Sequence, residues 1–130
     1  MEIKVTFPGG KQVQADLGRH VVLTDQSAAA GGDDAAPAPY DLFLASLATC
    51  AGIFALEFCN ARGLPTDGLE LRQKTEWDRE RRRLARVEIA IQAPRDFPEK
   101  YLEALRRAAD QCKVKRVITD PPEFEVTAHR

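Results

Sequence analysis

Three cysteines carry most of the chemistry open to this sequence, and their surroundings differ. Cys50 lies in Ala45-Ser46-Leu47-Ala48-Thr49-Cys50-Ala51-Gly52, where small neighbours leave room beside the sulfur for a partner helix or a substrate. The same setting suits a plain buried cysteine acting as a small hydrophobe. Cys112 stands at an expected helix break, ahead of Lys113, Lys115 and Arg116. A helix start with cations nearby stabilises a thiolate, so local sequence ranks Cys112 as the more acidic thiol, with a half-buried bystander as the alternative. Cys59 follows Cys50 by nine positions, about 900° of helical rotation, and so points to the opposite side as a core residue. Asp41 falls in the first turn of the same helix, where the backbone dipole favours a carboxylate. It is also able to fix an arginine over a thiolate pocket, and Arg19, in a tight turn after Gly18, is the arginine to pair with it.

Other chemistries find no support. Cys50 and Cys112 sit on separate elements, His20 and His129 have no ligand spacing, and no metal is expected. There is no glycine-rich phosphate loop, Gly-x-Ser-x-Gly elbow or nucleotide fingerprint, so no cofactor is expected. Arg79-Glu80-Arg81-Arg82-Arg83 reads as a solvated hairpin tip, given its acidic neighbours. Nineteen Lys and Arg against 20 Asp and Glu give a net charge of -1, which argues against an overall attraction to nucleic acid or acidic membrane.

The elements that must position these residues form one expected soluble domain over 130 residues, 44% hydrophobic and 30% charged. An odd count of three cysteines excludes a disulfide-stapled secreted scaffold. Met1-Glu2-Ile3-Lys4 opens no apolar signal region, and a reducing cytoplasm is the expected location. Glu2–Phe7, Lys11–Leu17 and His20–Asp25 read as a three-stranded antiparallel meander, followed by a flexible loop over Ser27–Ala38. Pro39 begins a helix that Gly63 and Pro65 end. Its uninterrupted apolar stretch, Leu42–Leu56, is about 15 residues, short of the roughly 20 that cross a bilayer. A helix apolar on all sides must be wrapped on all sides, which a monomer of this size does with difficulty, and that hints at a dimer.

Leu69, Leu71, Thr75 and Trp77 then alternate with charged residues, and Ala85, Val87, Ile89 and Ile91 return as the second strand of a half-wet hairpin. Asp96 is a candidate cap for a helix from about Phe97 to Ala109, with Tyr101, Leu102, Leu105, Ala108 and Ala109 on its apolar side. A short helix over Lys113–Ile118 and a last strand over Phe124–Ala128 complete a βββ-α-ββ-α(α)-β order, an α+β fold.

The segment Pro39-x-Asp41-Leu42-Phe43-Leu44-Ala45-Ser46-Leu47-Ala48-x-Cys50, then a hairpin, then a second cysteine at a helix start, resembles the OsmC/Ohr family of osmotically inducible and organic hydroperoxide resistance proteins. The resemblance implies an intertwined homodimer built around two long central helices. It also implies a thiol-dependent peroxidase that reduces organic hydroperoxides, with an external dithiol as reductant. On the matching positions, Cys50 becomes the peroxidatic thiolate, Cys112 the resolving thiol, and Asp41 stands where the family commonly has Glu, with Arg19 as its arginine. Cys112-Lys-Val-Lys lacks the Pro and Ser that often follow the family's second cysteine. Phe43, Leu47, Ile53 and Phe54 are the expected apolar lining for an organic substrate. A non-catalytic relative that binds a small hydrophobic ligand is the alternative.

Overall fold

The computed structural model describes all 130 residues. They group into two compact units, Met1–Ala45 and Ser46–Arg130, whose boundary falls inside a continuous helix instead of a linker.

In the first unit, β1 (Lys4–Gly9), β2 (Gln12–Asp16) and β3 (Val21–Thr24) form an antiparallel sheet in that order, as the alternation of apolar and polar residues predicts. Val5 pairs with Ala15, and Ala15 with Val22, so one face carries a row of apolar residues. Much of that row stays open, with Val5 at 49% and Phe7 at 78% exposure. The loop after β3 is ordered. Buried Asp25 accepts hydrogen bonds from the backbone N–H groups of Gln26 at 2.7 Å, Ala35 at 3.1 Å and Asp33 at 3.2 Å. These donors hold its carboxyl below the ordinary value, the Ala35 amide most of all. A 3-10 turn at Ala28–Ala30 lies within this loop.

Helix α1 (Pro39–Ala61) has 23 residues and is long and apolar enough to cross a membrane, more than the uninterrupted apolar stretch alone suggests. In the second unit its Ala51, Ala55, Phe58 and Cys59 enter the core with Leu105 and Ala109. Ile53 and Leu56 stay open at 47% and 37% exposure. Gly63, at φ +61°, ends the helix as the proline and glycine signals predict.

The hairpin pairs β4 (Glu70–Asp78) with β5 (Arg83–Gln92). Its register shifts after Glu76, which pairs with Arg86, while Trp77 pairs with Leu84. Ala85 is therefore the extra residue of a bulge. It is exposed and Leu84 is half-buried, against the strict alternation expected there. Asp96 caps no helix. Pro98 restricts the residue before it, so the chain starts a 3-10 turn only at Glu99–Tyr101, and α2 runs over Leu102–Ala109. Leu105 and Ala109 are buried, but Leu102, expected on the same side, is 44% exposed. Helix α3 (Lys113–Thr119) begins at Cys112 as predicted.

The expected last strand does not form. Residues 121–130 have no ladder partner, and Phe124 and Val126 are 86% and 95% exposed. Alternation gives a segment strand character, but a strand exists only against an edge, and β4 and β5 pair with each other alone. The α+β class stands, with an antiparallel sheet in each unit.

Candidate active site

The second unit brings two of the three cysteines together. Cys50 projects from α1, half-buried, and Cys112 is the residue that caps α3, 2% exposed. The Cys112 sulfur accepts the N–H of Lys115 at 3.4 Å, and its thiol reaches toward the Leu47 carbonyl at 4.0 Å, one turn before Cys50. These two contacts pin the start of α3 against α1. All three cysteines are free thiols, and no cluster of metal-ligating side chains is present.

The two sulfurs are pushed in opposite directions. Cys50 is lowered below an ordinary thiol by the Val114 backbone N–H first; burial, next in size, pushes it up, and the Cys112 thiol, the Lys113 N–H and the Lys113 ammonium add smaller downward pulls. Cys112 is raised, by burial first and also by the neighbouring Cys50, and the Lys115 N–H only partly offsets this. Of the two, Cys50 is therefore the more acidic sulfur. The local reading that makes Cys112 the more acidic thiol is overturned: the amides and the cation at the start of α3 serve the sulfur across from it. Cys59, fully buried in the core, is raised by burial.

The other expected site residues are placed differently. Arg19 lies exposed in the turn between β2 and β3, and it forms no salt bridge. The Asp41 carboxylate accepts the N–H of Ala38 at 3.1 Å, closing the entry to α1, so the pair Arg19–Asp41 is not formed within this chain. Nine positions of helix also send Asp41 and Cys50 out on opposite sides of α1. Of the expected lining, Phe43 stacks on Tyr40 at 6.0 Å, Leu47 is buried, Phe54 is half-buried and Ile53 is exposed. A separate open groove of about 650 Å³ runs between β5 and α2, over Ile89, Ile91, Leu102 and Leu105, with Arg106 held by Glu103 at its rim. It contains no cysteine.

Sequence reasoning missed the influence of the Lys113 and Val114 amides on Cys50. The signal was the lysine run itself, but only folding shows which sulfur it reaches.

The sequence matches the OsmC-like protein family over residues 31–127, which includes the whole of α1 and both cysteines. The chain belongs to that family. Solved structures share its fold. A protein of Psychrobacter arcticus 273-4, described as an osmotic stress induced and detoxification response protein, is similar at a TM-score of 0.73 and 24% identity, covering 88% of this chain and 85% of that one. An OsmC-like protein of unknown function from Vibrio cholerae matches at 0.62 and 11% identity, over 88% and 90% of the two chains. The organic hydroperoxide resistance protein OsmC of Legionella pneumophila matches at 0.59 and 18% identity, over 91% and 89%. No match was found among curated protein sequences.

Proposed function

We propose that this OsmC-like protein is a thiol-dependent peroxidase that reduces organic hydroperoxides, with Cys50 attacking and Cys112 resolving. The reading is supported above all by the docking of the Cys112 sulfur on the Leu47 carbonyl, one turn from Cys50, which brings a second thiol to the neighbourhood of the thiol held lower. An attacking thiol must be anionic near neutral pH, and a resolving thiol must stay protonated and close until the first step is over. The similarity to a named hydroperoxide resistance protein agrees with a peroxide-linked role.

In the first step the Cys50 thiolate forms an S–O bond to the terminal peroxide oxygen as the O–O bond breaks. The leaving alkoxide takes up a proton to become the alcohol, and Cys50 is left as a sulfenic acid. The Cys112 sulfur then attacks the Cys50 sulfur, water leaves, and a disulfide forms. An external dithiol reduces that disulfide and is itself oxidised. The sum converts one hydroperoxide and one dithiol into one alcohol, one water and one disulfide.

The open side of α1, with Ile53 and Leu56, and the open face of β1–β3, with Val5 and Phe7, favour a homodimer in which a second copy covers them. Such a partner would also complete an apolar lining from Phe43, Leu47, Ile53 and Phe54, and it would give Arg19 and Asp41 contacts they lack within one chain. The same reading expects a cytoplasmic protein with no nucleic-acid or membrane partner.

The deciding experiment adds one equivalent of cumene hydroperoxide to wild type, Cys112→Ser and Arg19→Ala, and follows thiols and intact mass. Wild type is expected to lose two thiols and about 2 Da, while Cys112→Ser accumulates a sulfenic acid that dimedone traps. Arg19→Ala is expected to slow the first step about tenfold or more, and an unchanged rate removes Arg19 from the site. If all three proteins keep their thiols, the peroxidase reading fails, and a hydrophobic ligand bound without turnover becomes the better account.

A further inference from the structure

From Asp110 to the end of the chain, Cys112 is the one buried residue. Helix α3, which it caps, is seven residues long and buries none of them, and its Val117 and Ile118 stay 55% and 49% exposed. A helix that short does not persist by itself in water, so what fastens it decides whether it forms. Two fastenings are exposed side-chain pairs that lead back to the end of α2. Lys115 Nζ binds the Asp110 carboxylate, and Arg116 Nη2 donates to the side-chain oxygen of Gln111 at 3.4 Å. Such surface pairs hold little. The third is the Cys112 thiol. Its sulfur accepts the Lys115 N–H at 3.4 Å, which caps the helix, and it points its hydrogen at the Leu47 carbonyl at 4.0 Å, which ties the cap to α1.

The hydrogen offered to Leu47 is the one that resolution removes. When the Cys112 sulfur attacks the Cys50 sulfenic acid, an S–S bond forms and the S–O bond breaks. The thiol hydrogen leaves with the hydroxyl as water, the hydroperoxide having been the oxidant. A disulfide sulfur has nothing to donate to a carbonyl, and one bonded to Cys50 is no longer free to follow the Lys115 N–H. We propose that forming the Cys50–Cys112 disulfide unfastens α3 from α1, so that the order of residues 113–120 follows the oxidation state of the pair. The inference rests on reading the two cysteines as an attacking and a resolving thiol.

Hydrogen exchange read by mass spectrometry on the full chain tests it. The N–H groups of Arg116 and Asp120, bonded to the carbonyls of Cys112 and Arg116, report the helix. Reduced wild type is compared with wild type oxidised by one equivalent of cumene hydroperoxide or by diamide, the disulfide being confirmed by a mass loss of about 2 Da. Cys50→Ser, which cannot form the bond, is treated alike, and Cys112→Ala removes cap and donor without any oxidant. Peptides covering α3 are expected to exchange about tenfold faster or more in the disulfide form and in Cys112→Ala, while treated Cys50→Ser keeps the reduced rate. Peptides of β4 and β5 should exchange alike throughout. An equal loss of protection there would mean unfolding of the whole unit and would overturn the proposal, as would unchanged protection of α3 in the disulfide form or in Cys112→Ala. If hydroperoxide leaves both thiols intact but diamide joins them and frees α3, the peroxidase reading falls and the switch stands. If neither oxidant joins the two sulfurs, both fall.

Discussion

Two places in this molecule use the same device for opposite ends. In the first unit, three backbone N–H groups converge on the Asp25 carboxylate, and in the second, the start of α3 lowers the Cys50 thiol, through the Val114 N–H above all. Both lower the pKa of the group they surround, because a hydrogen bond to the charged form favours it. Asp25 is buried, is ionised at any ordinary pH, and has all its donors supplied by one loop, so the charge is a fixed peg for residues 26–38. Cys50 is only half-buried, and a second thiol, Cys112, is among the groups that lower it. A carboxylate so enclosed can only hold a loop, whereas a half-buried sulfur is open to a reactant.

The largest test of that contrast is Cys50→Ser. A hydroxyl gains too little acidity from two amides and a lysine to become a nucleophile near neutral pH, so peroxide consumption should fall on the order of 10³-fold or more. Thermal stability should barely change, because the serine keeps the size of the side chain. A stopped-flow assay beside a melting curve reads both. Loss of stability with activity retained would make Cys50 a structural residue like Asp25.

The peg predicts the reverse profile. A Cβ added to Gly32 would lie 2.1 Å from the Gln26 carbonyl oxygen and 2.8 Å from Asp25 Oδ1. Backbone cannot swing aside as a flexible side chain can, so Gly32→Ala should cost about 1–3 kcal/mol in urea unfolding. Its effect on alkylation of Cys50 should be small by comparison. A variant as stable as wild type would mean the loop is free to repack.

Much of the fold was legible because it follows short-range rules. The meander, the start of α1 at Pro39 and its end at Gly63, and the start of α3 at Cys112 come from alternation and from proline and glycine signals. The misses have a common cause. Ala85 is displaced by a bulge, and residues 124–128 need an edge that periodicity cannot supply. The site divides along the same line. Cys50 and Cys112 stand out by type and neighbourhood, but 62 positions separate them in sequence, and which of them is the more acidic depends on amides delivered by folding. Nothing in the sequence marks Asp25, since a carboxylate at the end of a strand gives no sign that three amides will close over it.

The smallest expected effect concerns acid. Asp25 has its folded pKa below its unfolded one, so its charge contributes stability in full above the unfolded value, near pH 3.9, and loses it as pH falls through the folded value. Wild type should therefore weaken on acidification below about pH 4, over and above what its other carboxylates cause. Asp25→Asn keeps the shape and one acceptor oxygen but places an amide N–H where a backbone donor must fit, so it is less stable at neutral pH and flatter in acid. The two unfolding curves, measured in urea from neutral pH downward, should converge as the wild-type carboxylate takes up its proton. Curves that stay parallel would show that the charge of Asp25 is incidental to the loop. The contrast with Cys50 would then lie in exposure alone, and not in what the surrounding amides hold in place.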